Sequence, residues 1–285
     1  MNQISSIIPL LLLDKIIVNA LEEDFGVGGD LTSALTINQF TSSKAEIIAR
    51  KPGVVACLEV SKRVFNIFDP DLKVDLLVND GDMIKANTPI ISISGKSTSI
   101  LGAERTALNF LGILSGVATE TRRLVDKISG TNTRVCCTRK TIPGLRILQK
   151  YAVKCGGGFN HRFGLSDGIL IKDNHIKASG GIENAVKEIK SISGHMQKIE
   201  IEADNINQVI AAIDSGVDVI MLDNMTLSDI RNAIRIINKK VLVEASGSIS
   251  VDNIRDIAET GVDIISVGWI THSAPSLDVG LDFKD

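Results

Sequence analysis

The sequence has few cysteines, no long apolar run at its start and no excess of basic residues. Neither a CxxC pair nor a metal-ligand spacing occurs among the four cysteines, which are Cys57, Cys136, Cys137 and Cys155. Such an arrangement suits no disulfide framework, which favours a reducing compartment. The apolar run from Ile7 to Leu13 is too short to span a membrane, and Asp14 follows it at once. We therefore expect a cytoplasmic protein with no membrane segment.

The overall charge is slightly acidic, with a formal net charge of −3 over 285 residues. General nucleic-acid-binding proteins are usually basic, so we expect no nucleic-acid partner. Hydrophobic residues make up 44% of the chain, enough for a substantial core and too many for a disordered protein. The length suits one large domain or two modest ones. Any concentration of positive charge is therefore local, and local positive charge indicates a small anionic ligand.

The pattern of the sequence changes near residue 130. Before it, a helix predicted over Leu11–Glu23 precedes short strand-like runs, and a second helical pattern covers 101–127 with a candidate break at Ser115-Gly116. After it, short apolar strands alternate with helical patterns, and the segments "SGVDVIMLDN" and "TGVDIISVGW" repeat one unit. This alternation predicts βα units and an α/β barrel, whose active site lies at the carboxyl ends of its parallel strands.

Polar residues stand at the end of each predicted strand in this second part. They are Thr138-Arg139-Lys140, Lys172-Asp173-Asn174-His175, Glu202, Asp223, Glu244 with Ser246-Gly247-Ser248, and Gly268. Because parallel strands end at one face, we expect these groups to converge on one cavity. The early strands supply cations, the middle ones carboxylates, and the last ones glycine-containing turns of the kind that hold phosphate through backbone N–H groups.

The segment "RKTIPGLRILQKYAVKCGGGFNHR", residues 139–162, concentrates positive charge. Its central helix pattern carries Lys150 and Lys154, which we interpret as a solvated face, since most exposed helix charges do nothing specific. The loop cations differ, because cations packed at one opening repel each other unless an anion balances them. These loop cations are Arg139, Lys140, His161, Arg162 and Lys172. The planar fork of arginine suits carboxylates and phosphates.

Several motifs together resemble one known family. "TRKTIPGLR", "GGGFNHR", "IKDNH", "EEDFGVGGDLTS" and "SVGWITHSAPSLD" are similar to motifs of the quinolinate phosphoribosyltransferases, the carboxylating nicotinate-nucleotide pyrophosphorylases. The resemblance covers nearly the whole chain. It implies an α/β fold with an N-terminal α/β sandwich over 1–114, to which 273–285 return, and a C-terminal open α/β (TIM-like) barrel over 115–272. It also implies a homodimer in which a sandwich helix of one subunit caps the barrel of the other.

The reaction that the resemblance implies is pentosyl transfer. Quinolinate and phosphoribosyl pyrophosphate would react with Mg²⁺ to give nicotinate mononucleotide, pyrophosphate and carbon dioxide, on the route to NAD. The residue types fit such substrates, because quinolinate carries two carboxylates and phosphoribosyl pyrophosphate about five negative charges. A cavity rich in arginine and lysine can hold both.

Site roles follow from the same resemblance. The resemblance implies that quinolinate is bound by the partner subunit's Arg105 together with Arg139, His161 and Arg162. It implies that Lys140 and Lys172 face the carboxylate and pyrophosphate groups, and that Glu202 and Asp223 orient the ribose or hold Mg²⁺. The remaining substrate-binding residues are Thr138, Ser246, Gly247, Ser248 and Gly268. A carboxylate beside the oxocarbenium-like sugar would stabilise the transition state more than the ground state. We therefore expect Glu202 and Asp223, with Lys140 and Lys172, to be catalytic.

Some assignments remain open at this stage. Alternation along the strand points Glu200 and Glu202 to the same side, and gapless alignment back from "MLDN" favours Glu202. His175 would either hydrogen-bond its own loop or touch the substrate. Phe159 stands where many relatives of the family carry a basic residue. Trp269 stands where something small is expected, so that it would narrow the cavity or pack beneath the neighbouring loop.

Arg105 has two interpretations. It stands near the start of the helical pattern, where a cation is unfavourable to the helix dipole. Either Glu104 of the same chain balances it, or Arg105 reaches an anion in the partner's barrel.

Three other functions fit parts of the sequence. "NDGDMIKANTPIISISG" resembles half of a biotinyl or lipoyl carrier, but it lacks the modifiable lysine at a hairpin tip. A Schiff-base lyase using Lys172 would need an apolar pocket that depresses the lysine pKa, whereas the motifs predict a pocket for polyanions. The molybdenum-associated paralogue of the same family, acting on another base, is the alternative that "RKT", "NHR" and "KDNH" argue against.

Overall fold

The computed structural model describes residues 8–284. The described chain divides into two compact units. The antiparallel unit contains the described parts of Met1–Arg122, Thr141–Gly157 and Thr271–Asp285, and the barrel unit contains Arg123–Lys140 and Gly158–Ile270. The observed units differ from the expected division at residue 114, because residues 115–122 and 141–157 belong to the antiparallel unit.

The described residues form eleven helices and twelve strands. The helices are α1 (Leu10–Phe25), α2 (Leu31–Thr36), α3 (Leu58–Phe68), α4 (Ser97–Lys127), α5 (Arg146–Cys155), α6 (Asp173–Ser179), α7 (Ile182–Ile192), α8 (Ile206–Ser215), α9 (Leu227–Ile237), α10 (Ile254–Ala258) and α11 (Trp269–His272). The strands are β1 (Ser42–Ala49), β2 (Gly53–Val54), β3 (Lys73–Leu76), β4 (Met83–Ile84), β5 (Pro89–Lys96), β6 (Arg134–Cys136), β7 (Ile169–Ile171), β8 (Ile199–Ala203), β9 (Val219–Asp223), β10 (Leu242–Ser246), β11 (Ile264–Ser266) and β12 (Val279–Lys284).

The antiparallel unit is built on a four-stranded sheet in the order β12-β1-β5-β3. Along β1, Ala45, Ile47 and Ala49 are fully buried while the residues between them are more exposed, as the period of a half-buried strand requires. The C-terminal strand β12 pairs antiparallel with β1. The expected return of the C-terminal segment to the N-terminal part of the chain is therefore observed over these residues.

Helix α4 corrects two expectations. It runs unbroken from Ser97 to Lys127, so the candidate break at Ser115-Gly116 is wrong. Glycine is needed at 116 for close approach, since a Cβ there would lie 2.1 Å from the Pro275 carbonyl oxygen. Because the helix begins at Ser97, Arg105 lies well inside it, and the argument from an unfavourable helix N-terminus does not apply.

Apolar periodicity predicted the buried face of helix α1 correctly, but it gave a wrong prediction for one residue of helix α5. Helix α1 confirms the first predicted helix, with Leu13, Ile17 and Leu21 buried along one stripe. No described helix is long and apolar enough to cross a membrane. In α5, by contrast, Lys150 is fully buried, so its interpretation as part of a solvated face is wrong. Only Lys154 of the two helix lysines is exposed.

The barrel unit contains six parallel strands in the order β6-β11-β10-β9-β8-β7. Strands β6 and β7 stand at the two ends of this order, and an isolated parallel bridge pairs Phe159 with Cys136 of β6. Among the described residues no strand pairing joins β6 to β7, so the barrel is open, as expected. The pairing register aligns Ser246 of β10 with Asp223 of β9, and Glu202 of β8 with Met221 of β9. The carboxyl ends of these strands therefore bring the candidate site residues to the same level.

Candidate active site

A cavity of about 630 Å³ lies in the barrel unit. Its lining residues are Thr138, Arg139, Lys140, His161, Arg162, Leu170, Lys172, Glu202, Met221, Asp223, Asn224, Ser246, Gly247, Ser248 and Ser266. Eleven of these were expected from the sequence. Leu170, Met221, Asn224 and Ser266 were not, and only Asn224, directly after a strand-end aspartate, carried a sequence signal.

Arginine and lysine form one wall of the cavity. After β6, Thr138 Oγ1 accepts the backbone N–H of Lys140 at 3.0 Å, which shapes the turn that carries Arg139. Arg162 donates from Nη1 to the Gly168 carbonyl at 2.8 Å, so its own loop orients its guanidinium. Burial, followed by repulsion from Arg139, lowers the pKa of Arg162. Two partly buried guanidiniums that repel each other form a wall suited to an anion with more than one negative charge.

Glu202 and Lys172 face each other across neighbouring strands. Glu202 Oε1 lies 2.6 Å from Lys172 Nζ, and the Glu202 side chain is only 16% exposed. The backbone N–H of Lys172 donates to His175 Nδ1 at 3.0 Å, in a capping box at the start of α6. His175 therefore hydrogen-bonds its own loop, the first of its two open interpretations, and Glu202 rather than Glu200 lines the cavity.

Asn224 connects Asp223 with the turn after β10. Its Nδ2 donates to Asp223 Oδ2 at 3.0 Å, and its backbone N–H donates to the Ser246 carbonyl at 2.9 Å. Asn224 has φ +53, a left-handed conformation that asparagine tolerates better than most residues. Ser248 Oγ donates to Asn224 Oδ1 at 3.5 Å. The carboxylate at the end of β9 and the 246–248 turn are therefore held by one side chain.

Gly247 in this turn has φ +95, and a Cβ there would lie 2.2 Å from Asn224 Oδ1. We therefore expect Gly247→Ala to raise the KM for phosphoribosyl pyrophosphate by about tenfold or more. Alanine would strain the backbone at this positive φ, and its Cβ would clash with Asn224. Steady-state kinetics measure this. The matched control is Gly261→Ala, which has the same φ of +95 but no atom within 4 Å. Equal KM values for the two variants would contradict a binding role for the turn.

Gly268 and Trp269 follow β11, the last strand of the barrel unit. A Cβ on Gly268 would meet Lys140 Cδ at 2.9 Å, so glycine leaves room for that lysine beside the cavity. Trp269 Nε1 donates to the Ile249 carbonyl at 3.0 Å. The indole thus holds the segment that follows the 246–248 turn, in agreement with the second of its two interpretations. Phe159 instead stacks under the Arg134 guanidinium at 4.7 Å.

His161 stands over two buried acids that the sequence did not assign. Its Nε2 lies 3.0 Å from Glu200 Oε2 and 3.9 Å from Glu244 Oε1. Glu244 is 2% exposed and Glu200 8%. Burial, followed by the charge of Glu200, raises the pKa of Glu244 to about 7. The sequence named Glu244 as a strand-end group without giving it a role, and a charged residue inside the apolar run "VLVEA" was its only signal.

One expected site residue, Arg105, belongs to the antiparallel unit. Its guanidinium lies 3.9 Å from Glu104, and its side chain is 64% exposed. An exposed pair at that separation contributes little to stability, and both interpretations of Arg105 stay predictions.

The comparisons with known proteins agree with this geometry. Residues 30–115 match the family model described as "Quinolinate phosphoribosyl transferase, N-terminal domain", and residues 117–282 match that for the C-terminal domain. The chain belongs to the quinolinate phosphoribosyl transferase family. The boundary between the two family domains, near residue 116, falls inside α4.

Relatives in this family are similar over nearly the whole chain. A probable nicotinate-nucleotide pyrophosphorylase [carboxylating] of Bacillus subtilis is 42% identical over 95% of this chain and 93% of the relative. A quinolinate phosphoribosyltransferase [decarboxylating] of Nicotiana glauca is 37% identical over 96% of this chain and 83% of the relative. The solved nicotinate-nucleotide pyrophosphorylase of Francisella tularensis superposes with a TM-score of 0.93 at 40% identity, covering 97% of this chain and 98% of that one.

Proposed function

We propose that this protein transfers phosphoribose from phosphoribosyl pyrophosphate to quinolinate, with decarboxylation, in NAD biosynthesis. The products are nicotinate mononucleotide, pyrophosphate and carbon dioxide. The observation that carries the proposal is a single cavity with an arginine wall, two carboxylates and a glycine-containing turn. Relatives named for the same reaction support it, and none of the comparisons favours the molybdenum-associated alternative.

Quinolinate is bound by Arg139 and Arg162 in this proposal. Each guanidinium can bond two oxygens of one carboxylate, and two guanidiniums match a dicarboxylate. The Nε of Arg162 is buried without a hydrogen-bond partner among the described residues, as expected of a group that bonds a ligand. His161 lines the same wall, but both of its ring nitrogens contact protein groups.

Phosphoribosyl pyrophosphate lies across the opposite part of the cavity. The 246–248 turn and Gly268 receive the ribose phosphate, with Ser246 and Ser248 hydroxyls and backbone N–H groups as donors. Lys140 and Lys172 balance the pyrophosphate charge. Since Lys172 Nζ pairs with Glu202 at 2.6 Å, the lysine is already directed into the cavity.

Displacement of pyrophosphate forms the bond from the pyridine nitrogen to the sugar carbon. The sugar becomes oxocarbenium-like, and the carboxylates of Glu202 and Asp223 stabilise this positive charge. The C–C bond to the adjacent carboxylate then breaks, its electron pair passes to the pyridinium ring, and a proton replaces the carbon dioxide that leaves. The cationic ring is the electron sink, so decarboxylation needs no further residue.

Magnesium fits one of its two expected ligands better than the other. Glu202 Oε1 lies 2.6 Å from Lys172 Nζ, and this ammonium competes with a metal for the same oxygen. Among the described residues, the Asp223 carboxylate receives one amide hydrogen bond, from Asn224 at 3.0 Å. Magnesium is commonly held by one or two carboxylates plus substrate phosphates. We therefore assign Asp223 as its protein ligand, where the ion would neutralise charge on the leaving pyrophosphate.

A homodimer with shared sites completes the proposal. The exposed Arg105 guanidinium would enter the cavity of the partner subunit and contact a carboxylate of quinolinate. Its 64% exposed side chain is available for such a contact. None of the four cysteines forms a disulfide, which agrees with a cytoplasmic location.

The proposed reaction is tested by the release of labelled carbon dioxide from carboxyl-labelled quinolinate, with and without phosphoribosyl pyrophosphate. We expect release only when both substrates and Mg²⁺ are present, together with stoichiometric nicotinate mononucleotide. Absence of release from the folded protein under these conditions would overturn the proposal.

Nicotinate is expected to be a poor substrate. It lacks the second carboxylate, so one partly buried guanidinium would lose its partner, and kcat/KM would fall by about 10⁴-fold or more. Parallel assays with both bases measure this ratio. Comparable turnover of nicotinate and quinolinate would place the protein in a different class of phosphoribosyltransferase.

A further inference from the structure

Two buried glutamates and the partly buried His161 form the floor beneath the arginine wall. His161 comes from the loop before β7, Glu200 from β8 and Glu244 from β10. One ligand atom of each lies within 4.8 Å of the others. In a barrel, alternate strands contribute to one layer of interior side chains, which explains why β8 and β10 place their glutamates together.

The hydrogen bonds show which atom of His161 carries a proton. Its Nδ1 accepts the backbone N–H of Arg162 at 2.8 Å, so this nitrogen has its lone pair free for that bond. The ring proton is then on Nε2, which donates to Glu200 Oε2 at 3.0 Å. Glu200 is thereby linked through His161 to the main chain of Arg162.

The two glutamates cannot both be satisfied as carboxylates. Glu200 Oε1 and Glu244 Oε1 are each buried and accept no hydrogen bond from any described residue. A buried acceptor left without a donor is costly, and two neighbouring buried carboxylates also repel. One proton on Glu244 removes the repulsion and gives the pair a donor, which leaves a single negative charge shared between two neighbouring carboxyl groups.

We propose that Glu244 donates a hydrogen bond to Glu200 through one shared proton, and that this pair positions His161 and, through it, Arg162 for quinolinate. Glu244 is then a positioning residue, since it acts through Glu200 and His161. The role in quinolinate binding rests on the proposed function, whereas the shared proton does not.

Neighbouring groups favour one proton over a metal ion at this floor. A metal would need the Nε2 lone pair, but that nitrogen carries the proton given to Glu200. The groups facing Glu244 are Glu200 on β8, His161 and Ser266 on β11. Burial and the charge of Glu200 raise the pKa of Glu244, His161 and Ser266 lower it, and the net result is a pKa of about 7.

Glutamine substitutions distinguish one shared proton from two required carboxylates or metal ligands. Glutamine mimics a protonated glutamate, so Glu244→Gln and Glu200→Gln, tested singly, should each keep the quinolinate KM within about threefold of the wild-type value. Glu244→Leu, of similar bulk but without a donor, should raise that KM by about tenfold or more while the KM for phosphoribosyl pyrophosphate stays within about twofold. The exposed Glu183→Gln is the matched control and should change neither KM.

The pH dependence gives a second readout. The wild-type quinolinate KM should rise above about pH 7, where Glu244 loses its proton, and Glu244→Gln should lack this rise. Thermal unfolding, which needs no substrate, should show the wild type losing melting temperature relative to Glu244→Gln as the pH rises from about 4.5 to about 7. The sign follows because a raised pKa means that the folded state binds the proton more tightly.

Different failures point to different causes. If wild-type protein releases no carbon dioxide but the melting difference follows the expected pH course, the proposed function fails and the shared proton stands. If both glutamine variants raise the quinolinate KM by about tenfold, as two required carboxylates or metal ligands would, the shared proton is overturned. Metal that copurifies with wild type and is lost from Glu244→Leu would also overturn it.

Discussion

Replacing Arg162 with alanine is expected to weaken quinolinate binding by roughly 30- to 4,000-fold, and Arg139→Ala should do the same. Each removes one guanidinium from a partly buried carboxylate, which costs about 2–5 kcal/mol, much of it from the charge left unpaired. The two arginines already repel each other in the structure, since Arg139 contributes to the lowered pKa of Arg162. Their joint presence is therefore explained by a dianion.

Isothermal titration calorimetry with quinolinate alone measures this loss. Arg162→Lys is the informative second variant, because it keeps the charge but loses the planar fork, and its affinity should fall between those of wild type and Arg162→Ala. Arg231→Ala, on the exposed surface of α9, is the control for general loss of positive charge. Unchanged affinity in both alanine variants would remove Arg139 and Arg162 from the quinolinate site.

Much of the site could be predicted because strand ends follow from periodicity. Once short apolar runs are recognised as parallel strands, Glu202 and Asp223 must stand at one face, whatever the twist of the sheet. The cavity contains both, together with Arg139 and Lys172. Periodicity alone did not show whether Glu200 or Glu202 reaches the cavity. The strand register decides this, because it places Glu202 level with Met221, which also lines the cavity.

Other features depend on contacts that one-dimensional patterns do not contain. Lys150 has the spacing of an exposed helix residue but is fully buried, and spacing along one helix does not contain the packing of the rest of the fold. Gly116 suggested a helix break, whereas its function is to let the Pro275 carbonyl approach α4. The meeting of Glu200 and Glu244 depends on strand tilt, which places side chains of alternate strands in one layer.

Two inactive variants are expected to restore activity when they share a dimer. If the partner subunit's Arg105 completes each cavity, Lys140→Ala damages the cavity of its own subunit, whereas Arg105→Ala damages the cavity of the other subunit. In a mixed dimer, one of the two sites combines an intact barrel with an intact arginine. Coexpression followed by separation of tagged heterodimers should therefore recover about half of the wild-type kcat per dimer, from parents lowered by about 10²-fold or more.

The matched control pairs Lys140→Ala with Lys172→Ala. Both lysines line the same cavity of the barrel unit, so every site of that heterodimer lacks one of them and no activity should return. Rescue in the first pair and not in the second separates sharing between subunits from a general stabilisation by mixing. Verified Arg105→Ala/Lys140→Ala heterodimers no more active than their parents would restrict Arg105 to its own chain, where the exposed ion pair with Glu104 at 3.9 Å gives it no catalytic role.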